Sequence, residues 1–281
     1  MDFTQAVREA LQPLTEDIAA LCKIKSVEGD PKPGMPFGEG PAQALEAALA
    51  MGERMGFKTE NFDNYVGHIE YGEGEEIVGI LGHVDVVPAG DGWETDPWGS
   101  VIRDGKLWGR GVLDDKGPVL TCLYAMKILK DLGVPLKKRI RLILGTNEEN
   151  NWGCRDYYLR EVKPQLPDLA FSPDAEFPVT YAEMGMLQFT LERPVTEDIC
   201  LKGGSAFNSV PSSARAALPA ELEEHVDLEK LGRRYEDFHP GVFVGRSYVE
   251  YPPGPPQAQY DGYTLPQEDL SWSVRLKLAS P

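Results

Sequence analysis

The chain has 281 residues, 42% of them hydrophobic, which is enough to bury the core of one large domain or two ordinary ones. Its 28 basic and 45 acidic side chains give a net charge of −17, so its surface repels phosphate backbones and anionic lipids. This charge argues against nucleic-acid and membrane partners, and no apolar run approaches the ~18 residues of a membrane span.

The N-terminal residues and the cysteines indicate a cytoplasmic protein. The N-terminal residues lack the basic and apolar blocks of a signal peptide. The four cysteines are scattered, without a CxxC pair, at Cys22, Cys122, Cys154 and Cys200. We therefore expect reduced thiols rather than disulfides.

Helices are predicted first at the N-terminus. Apolar residues at helical spacing predict a helix over 3–21, with a break or kink at Pro13. After a loop rich in proline and glycine, a second helix opens at Pro41 and closes near Gly56. Later helices are predicted over 119–132 and 154–162.

Short apolar segments between these helices predict strands. They lie at 57–62, 65–71, 77–81, 139–144 and 169–172, with a hairpin over 101–108 that turns at Asp104 and Gly105. This alternation predicts an α/β domain whose largely parallel sheet is flanked by helices. From about Met186, glycines and prolines punctuate the chain, so we place a domain boundary near 183–187, between domains 1–185 and 186–281.

A histidine and an aspartate follow the strand over 77–81. They are His83 and Asp85, and ligands in open α/β sheets collect at the carboxyl ends of strands. An imidazole there can bind a metal through one ring nitrogen while the carboxylate holds the other. Alone, the pair is equally compatible with an ordinary loop histidine.

Three further acidic motifs precede a helix or follow a strand. Asp114 and Asp115 precede the helix over 119–132, where they are also compatible with a helix cap. Glu148 and Glu149 follow the strand over 139–144, and Asp174 follows the last strand. Paired carboxylates suit a division between metal binding and proton transfer, although a solvated acidic loop would look the same.

The four motifs together form one consistent set. Carboxylates with a single imidazole suit a di-zinc or di-manganese centre. Two metals ~3.5–4 Å apart can share a carboxylate and activate one water for hydrolysis.

Five ordered blocks carry a family resemblance. They are GHVDVVPAGDGW, WGRGVLDDKGP, GTNEEN, SPDAEFP and GGSAFNSVP. With them the chain resembles the aminoacylase and glutamate-carboxypeptidase type of two-zinc peptidases, and among these the PepV-like dipeptidases. The resemblance implies a zinc-peptidase catalytic domain over 1–185 and the start of an α+β lid domain over 186–281. It also implies metal-dependent hydrolysis of dipeptides.

The resemblance further implies a role for each site residue. Two zinc ions, with manganese or cobalt as alternatives, would be held by His83, Asp114, Glu149 and Asp174, with Asp114 as the bridge followed by a cis peptide. Asp85 would orient His83, Glu148 would be the general base for water activation, and Asn208 would lie near the substrate in the lid.

The chain also departs from the family pattern. Relatives carry a last histidine ligand and an arginine that grips the substrate in later segments, and neither His225 nor His239 lies in the matching context. We therefore expect a front part of such an enzyme, with a weakly held second metal and little activity by itself.

Two other functions stay open. One is an amidohydrolase acting on N-acyl amino acids, and the other is a catalytically dead remnant that acts as a binding domain. The block around Asn208 favours the dipeptidase. The side-chain preference, the physiological metal and the oligomeric state are not determined by the sequence.

Overall fold

The computed structural model describes residues 2–90, 92–175, 180, 200–203 and 214–217. The chain divides into two compact units, Met1–Tyr181 and Ala182–Pro281. The predicted boundary at 183–187 and the residues Asn208, His225 and His239 lie outside the described part.

The first helix, α1, extends over Phe3–Cys22. Asp2 caps it by accepting a hydrogen bond from the Gln5 amide at 3.0 Å. The helix runs through Pro13, so of the predicted break or kink the break is wrong. Pro13 is exposed, and the Glu9 carbonyl that loses its helical donor there belongs to an exposed residue that water can reach.

The remaining helices match the predicted segments closely. They are α2 (Glu39–Arg54), α3 (Lys116–Asp131) and α4 (Gly153–Tyr157), the last continued by a π-helical turn over Tyr158–Val162. Pro41 lies in the first turn of α2, and Gly56, with φ +75°, follows its end. No helix in the described ranges is long and apolar enough to cross a membrane.

The strands of the first unit form a sheet and a hairpin. They are β1 (Lys58–Phe62), β2 (Val66–Tyr71), β3 (Ile77–His83), β4 (Val101–Arg103), β5 (Lys106–Trp108), β6 (Arg139–Gly145) and β7 (Leu169–Phe171). The hairpin pairs β4 with β5 and turns at Asp104 and Gly105, both with positive φ, as predicted.

The sheet has the order β1-β2-β6-β3-β7. Strand β2 pairs antiparallel with both β1 and β6, whereas β3 pairs parallel with β6 and β7. Four of the five strands therefore point the same way, which confirms the predicted α/β class with a largely parallel sheet.

Helices cover both faces of this sheet. On one face, α1, α2 and α3 enclose the main core, to which Leu45, Leu120 and Leu142 contribute. On the other, Cys154 and Tyr158 pack against Val66 and Ile143 in a smaller cluster. Among the described side chains, Cys22, Cys122 and Cys154 are free thiols.

Gly82 permits close packing of α3 on β3. An added Cβ there would overlap Val119 Cγ1 and Asp115 Oδ2. We expect Gly82→Ala to lower the free energy of unfolding by about 1–3 kcal/mol through overpacking, as measured by urea denaturation. Gly29→Ala is the control, since the nearest contact of its Cβ would be 4.0 Å away; equal urea midpoints for the two variants would contradict this prediction.

His68 is a buried histidine on β2, apart from the predicted site. Its Nε2 hydrogen-bonds the Tyr158 hydroxyl, and its side chain is nearly inaccessible to water. Burial, followed by the positive charges of Arg141 and Arg139, lowers the pKa of His68 to about 3. The folded protein therefore keeps this ring neutral at pH values where the unfolded chain, with a pKa of about 6.5, takes up a proton.

This difference makes stability depend on pH. Above pH ~6.5 His68 is neutral in both states. Below that pH the unfolded state binds a proton, whereas the folded state binds it only near pH ~3. The stability of the parent relative to His68→Gln should thus fall by about 1 kcal/mol for each pH unit between 6 and 4.5. Urea unfolding at four pH values measures this gap, and a gap that stays constant from pH 7 to 4.5 would refute the assignment.

In the second unit, the described residues form two strands. They are β8 (Cys200–Gly203) and β9 (Ala214–Ala217), which pair antiparallel.

Candidate metal centre

The predicted site residues of the first unit other than Asp114 lie at or just after the carboxyl ends of three neighbouring strands. His83 is the last residue of β3 and pairs in register with Gly145, the last residue of β6. Glu148 and Glu149 follow β6 by a few residues, and Asp174 follows β7. Because these three strands are parallel, their carboxyl ends meet at the same edge, as the sequence predicts.

His83 is the centre of this group. Its side chain is 2% exposed, and its Nδ1 lies 3.0 Å from the Asp85 carbonyl oxygen. Since a carbonyl only accepts hydrogen bonds, Nδ1 carries the proton in the neutral ring and Nε2 presents its lone pair.

Carboxylates surround that lone pair. His83 Nε2 lies 3.1 Å from Asp114 Oδ1, 3.2 Å from Asp174 Oδ2 and 3.7 Å from Glu148 Oε2. Nε2 is buried and makes no hydrogen bond of acceptable geometry to any described residue. A lone pair facing several negative oxygens needs a proton or a metal ion between them, and one nitrogen with several carboxylate oxygens is a donor set that fits a metal ion.

Asp85 has a second function besides contact with His83. Its carboxylate accepts hydrogen bonds from the backbone amides of Glu148 and Glu149, both at 3.1 Å. The same carboxylate lies 3.4 Å from His83 Nδ1, within ion-pair range, but the Asp85 carbonyl takes the hydrogen bond from the ring. Asp85 therefore joins the end of β3 to the loop after β6.

Asp114 and Asp115 lie where α3 begins, and the peptide bond between them is cis, as the resemblance implies. Asp114 is about half exposed and faces His83, whereas Asp115 is fully buried. Asp115 Oδ2 accepts a hydrogen bond from the His83 backbone amide at 3.2 Å. The sequence predicted a role for Asp114 alone, and no local pattern showed that Asp115 holds the backbone of His83.

Crowding of negative charge raises the pKa values of several carboxyl groups. Burial, with a contribution from the Asp114 charge, raises the pKa of Glu149 to about 7. Burial and the Asp174 charge raise the pKa of Asp115 to about 8, and burial also raises the pKa of Glu148. The site therefore concentrates carboxyl groups that favour a positive counter-charge.

His83 and Asp114 shift each other in opposite directions. Burial by itself lowers the pKa of His83, but the carboxylates of Asp114, Asp174 and Asp85 outweigh it and raise that pKa. Contact with His83 lowers the pKa of Asp114. Both shifts have one cause, which is that a positive charge at Nε2 is strongly favoured.

Two overlapping groups of described residues could each hold an ion, with ligand atoms within 4.8 Å of one another. They are His83, Glu148 and Asp174 in one group, and His83, Asp114 and Glu149 in the other. The structure thus brings together every predicted site residue of the first unit. Glu148 and Glu149 are equally well placed as ligands, so their separate roles rest on the family resemblance.

Two buried polar residues beside the site were not predicted from the sequence. Ser26 and Lys116 are both fully buried beside the site. For Lys116 one signal was available, because a lysine in the first turn of a helix opposes the helix dipole. Ser26, in a loop, offered none.

Residues 79–244 match the family model described as "Peptidase family M20/M25/M40". The "Putative dipeptidase YtjP" of Bacillus subtilis (strain 168) is 40% identical over 236 residues, which cover 80% of this chain and 50% of that protein. The "Putative dipeptidase SH1171" of Staphylococcus haemolyticus (strain JCSC1435) is 39% identical over 259 residues, which cover 88% and 54%.

A solved structure gives the same fold. The crystal structure of human carnosine dipeptidase 1 matches with a TM-score of 0.52 and 25% identity, over 61% of this chain and 40% of that chain. The chain spans about half the length of the curated relatives it matches.

Proposed function

Since the chain belongs to peptidase family M20/M25/M40, we propose that it supplies the metal centre of a metallo-dipeptidase. One observation carries the proposal, which is the buried Nε2 of His83 facing Asp114 and Asp174 at 3.1 and 3.2 Å. The relatives that are named dipeptidases support the substrate class.

We assign two zinc ions to this centre, with manganese or cobalt as alternatives. His83, Asp114 and Asp174 would hold the first ion, and Glu149 would hold the second together with Asp114 as the shared ligand. One nitrogen and several carboxylate oxygens form a donor set that zinc accepts. The two groups of candidate ligands share His83, whose Nε2 lone pair can bind one ion, so they support the first ion. The second ion is supported by the family resemblance.

We assign proton transfer to Glu148. Zinc in such a centre acts as a Lewis acid that makes water nucleophilic near neutral pH and withdraws charge from the substrate carbonyl. Glu148 would accept at Oε2 the proton released as water attacks the peptide carbon, and would return it to the leaving amine nitrogen when the C–N bond breaks. Asp85 fixes the loop that carries this carboxylate, through the amides of Glu148 and Glu149.

We propose further that residues 1–185 form the catalytic domain and residues 186–281 belong to a lid domain. Asn208, in the second of these, would contact the substrate. Support for both assignments comes from the sequence blocks of the family resemblance.

The test is hydrolysis of a panel of dipeptides by this chain supplied with zinc or manganese, against a matched panel of acetyl- and succinyl-amino acids. We expect dipeptides to be cleaved at least ~10-fold faster than N-acyl amino acids and a chelator to stop cleavage, with product detected at protein concentrations above that of the substrate. Preference for N-acyl amino acids would identify an amidohydrolase instead. Bound metal without cleavage of either panel at that protein concentration would count against both enzymes and favour a binding domain.

A further inference from the structure

The end of α1 is hydrogen-bonded to two elements that carry residues of the metal centre. We call residues 21–26 the α1-end segment; Leu21 and Ser26, at its two limits, are fully buried. From this segment, hydrogen bonds reach both the loop after β3 and the start of α3.

Ser26 makes the first set of contacts. Its Oγ donates to the Val84 carbonyl at 2.6 Å, and its own carbonyl accepts from the Val86 amide at 3.1 Å. The two contacts fix the backbone on either side of Asp85. The Asp85 carbonyl in turn accepts a hydrogen bond from the His83 ring, and the Asp85 carboxylate accepts hydrogen bonds from two amides of the loop after β6.

Lys116 makes the second set. Its Nζ donates to the carbonyls of Leu21 at 3.1 Å and Ile24 at 2.8 Å. Lys116 is the first residue of α3 and lies two residues after Asp114. These contacts therefore link the start of α3, which follows Asp114, to the α1-end segment. Ser26 links the same segment to the backbone around Asp85.

Lys116 has both favourable and unfavourable effects on stability: its Nζ satisfies carbonyls at the C-terminal end of α1, where a cation complements the helix dipole. A cation in the first turn of a helix opposes the helix dipole. A buried ammonium group also loses its hydration, which costs several kcal/mol. An apolar residue of similar length would avoid both costs, but it would not link the end of α1 to the start of α3 as Lys116 does.

We infer that Ser26 and Lys116 are positioning residues of the metal centre. Through the α1-end segment they set the separation between His83, at the end of β3, and Asp114, at the start of α3. Residues outside the ligand set that orient metal ligands typically change metal affinity by about 10–100-fold when replaced. The inference rests on the proposed metal centre and extends it to two residues that touch neither metal nor substrate.

The experiment compares Lys116→Met and Ser26→Ala with Lys130→Met as the matched control. Lys130 also donates from Nζ to two carbonyls at a helix end, those of Met55 at 2.6 Å and Gly56 at 2.9 Å, but it lies at the far end of α3. Zinc affinity is measured by competition with a chromophoric chelator. The visible absorption of bound cobalt reports ligand geometry, and thermal unfolding reports stability.

We expect Lys116→Met and Ser26→Ala each to weaken zinc binding by about 10-fold, the lower end of the range for direct partners of metal ligands, and to alter the cobalt spectrum. Lys130→Met should keep the affinity and spectrum of the parent even where its thermal stability falls. Should Lys116→Met fail to fold, Ser26→Ala decides, because it removes a single oxygen atom.

Two results would overturn the inference. One is parent-like affinity and cobalt spectra in Lys116→Met and Ser26→Ala while the parent itself binds zinc, which leaves the proposed function intact. The other is an equal loss of affinity in Lys130→Met, which would mean that general destabilisation is the cause. A parent chain that binds no zinc would defeat the proposed metal centre together with the inference.

Discussion

Replacing Glu148 by glutamine is expected to remove dipeptide hydrolysis while leaving the metal content nearly unchanged. Glutamine keeps the size and polarity of the side chain but cannot accept a proton. General acid–base groups contribute about 10²–10⁴-fold to catalysed rates, so the rate should fall within that range. Cleavage is followed by mass spectrometry with protein in excess over dipeptide, and zinc is quantified after gel filtration.

Glu149→Gln is the matched comparison, since Glu149 is adjacent in sequence and belongs to the other group of candidate ligands. This variant should lose bound metal as well as activity. If Glu148→Gln keeps more than a tenth of the parent rate while Glu149→Gln keeps its metal and is inactive, the two carboxylates have been assigned in reverse.

Replacing His83 by alanine is expected to have the largest effect on metal binding. His83 belongs to both candidate ligand groups and is the one imidazole among their members. Zinc affinity should fall by at least about 100-fold, the upper end of what changes to outer-shell partners of metal ligands cause. The affinity is measured by chelator competition, with urea denaturation to verify that the variant is folded.

His68→Gln serves as its control. His68 is also a buried histidine of the sheet, but its ring contacts Tyr158 rather than the acidic cluster. This variant should bind zinc like the parent. Parent-like zinc binding by folded His83→Ala would show that the centre does not use the imidazole, and the proposed ligand set would have to be abandoned.

Much of the fold follows from local patterns in the sequence. The second helix, between Pro41 and Gly56, and the hairpin at Asp104 and Gly105 were predicted because proline and residues with positive φ act through their own backbone. The break at Pro13 was wrong for a reason that the pattern does not contain. A proline inside a helix costs less where water reaches the carbonyl it leaves unbonded, and that access depends on which side of α1 faces the core.

The candidate site was predictable as far as strand ends determine it. His83, Glu148 and Asp174 each follow a short apolar strand, and parallel strands bring their carboxyl ends together. Asp85 was recognised only in part. Its position two residues after His83 indicated contact with the ring, but its carboxylate also binds the amides of a loop 63 residues away.

The sequence by itself determined the family, the α/β class and the acidic residues that surround one imidazole. Each of these follows from a contiguous motif or from the regular spacing of apolar residues. Only the tertiary structure decided how that imidazole is held in place. Ser26 meets Val84 across 58 residues and Lys116 meets Leu21 across 95. Such hydrogen bonds form only when α1 and α3 pack on the same face of the sheet and bring donor and acceptor to about 3 Å, and nothing in the residues next to Ser26 or Lys116 specifies the partner.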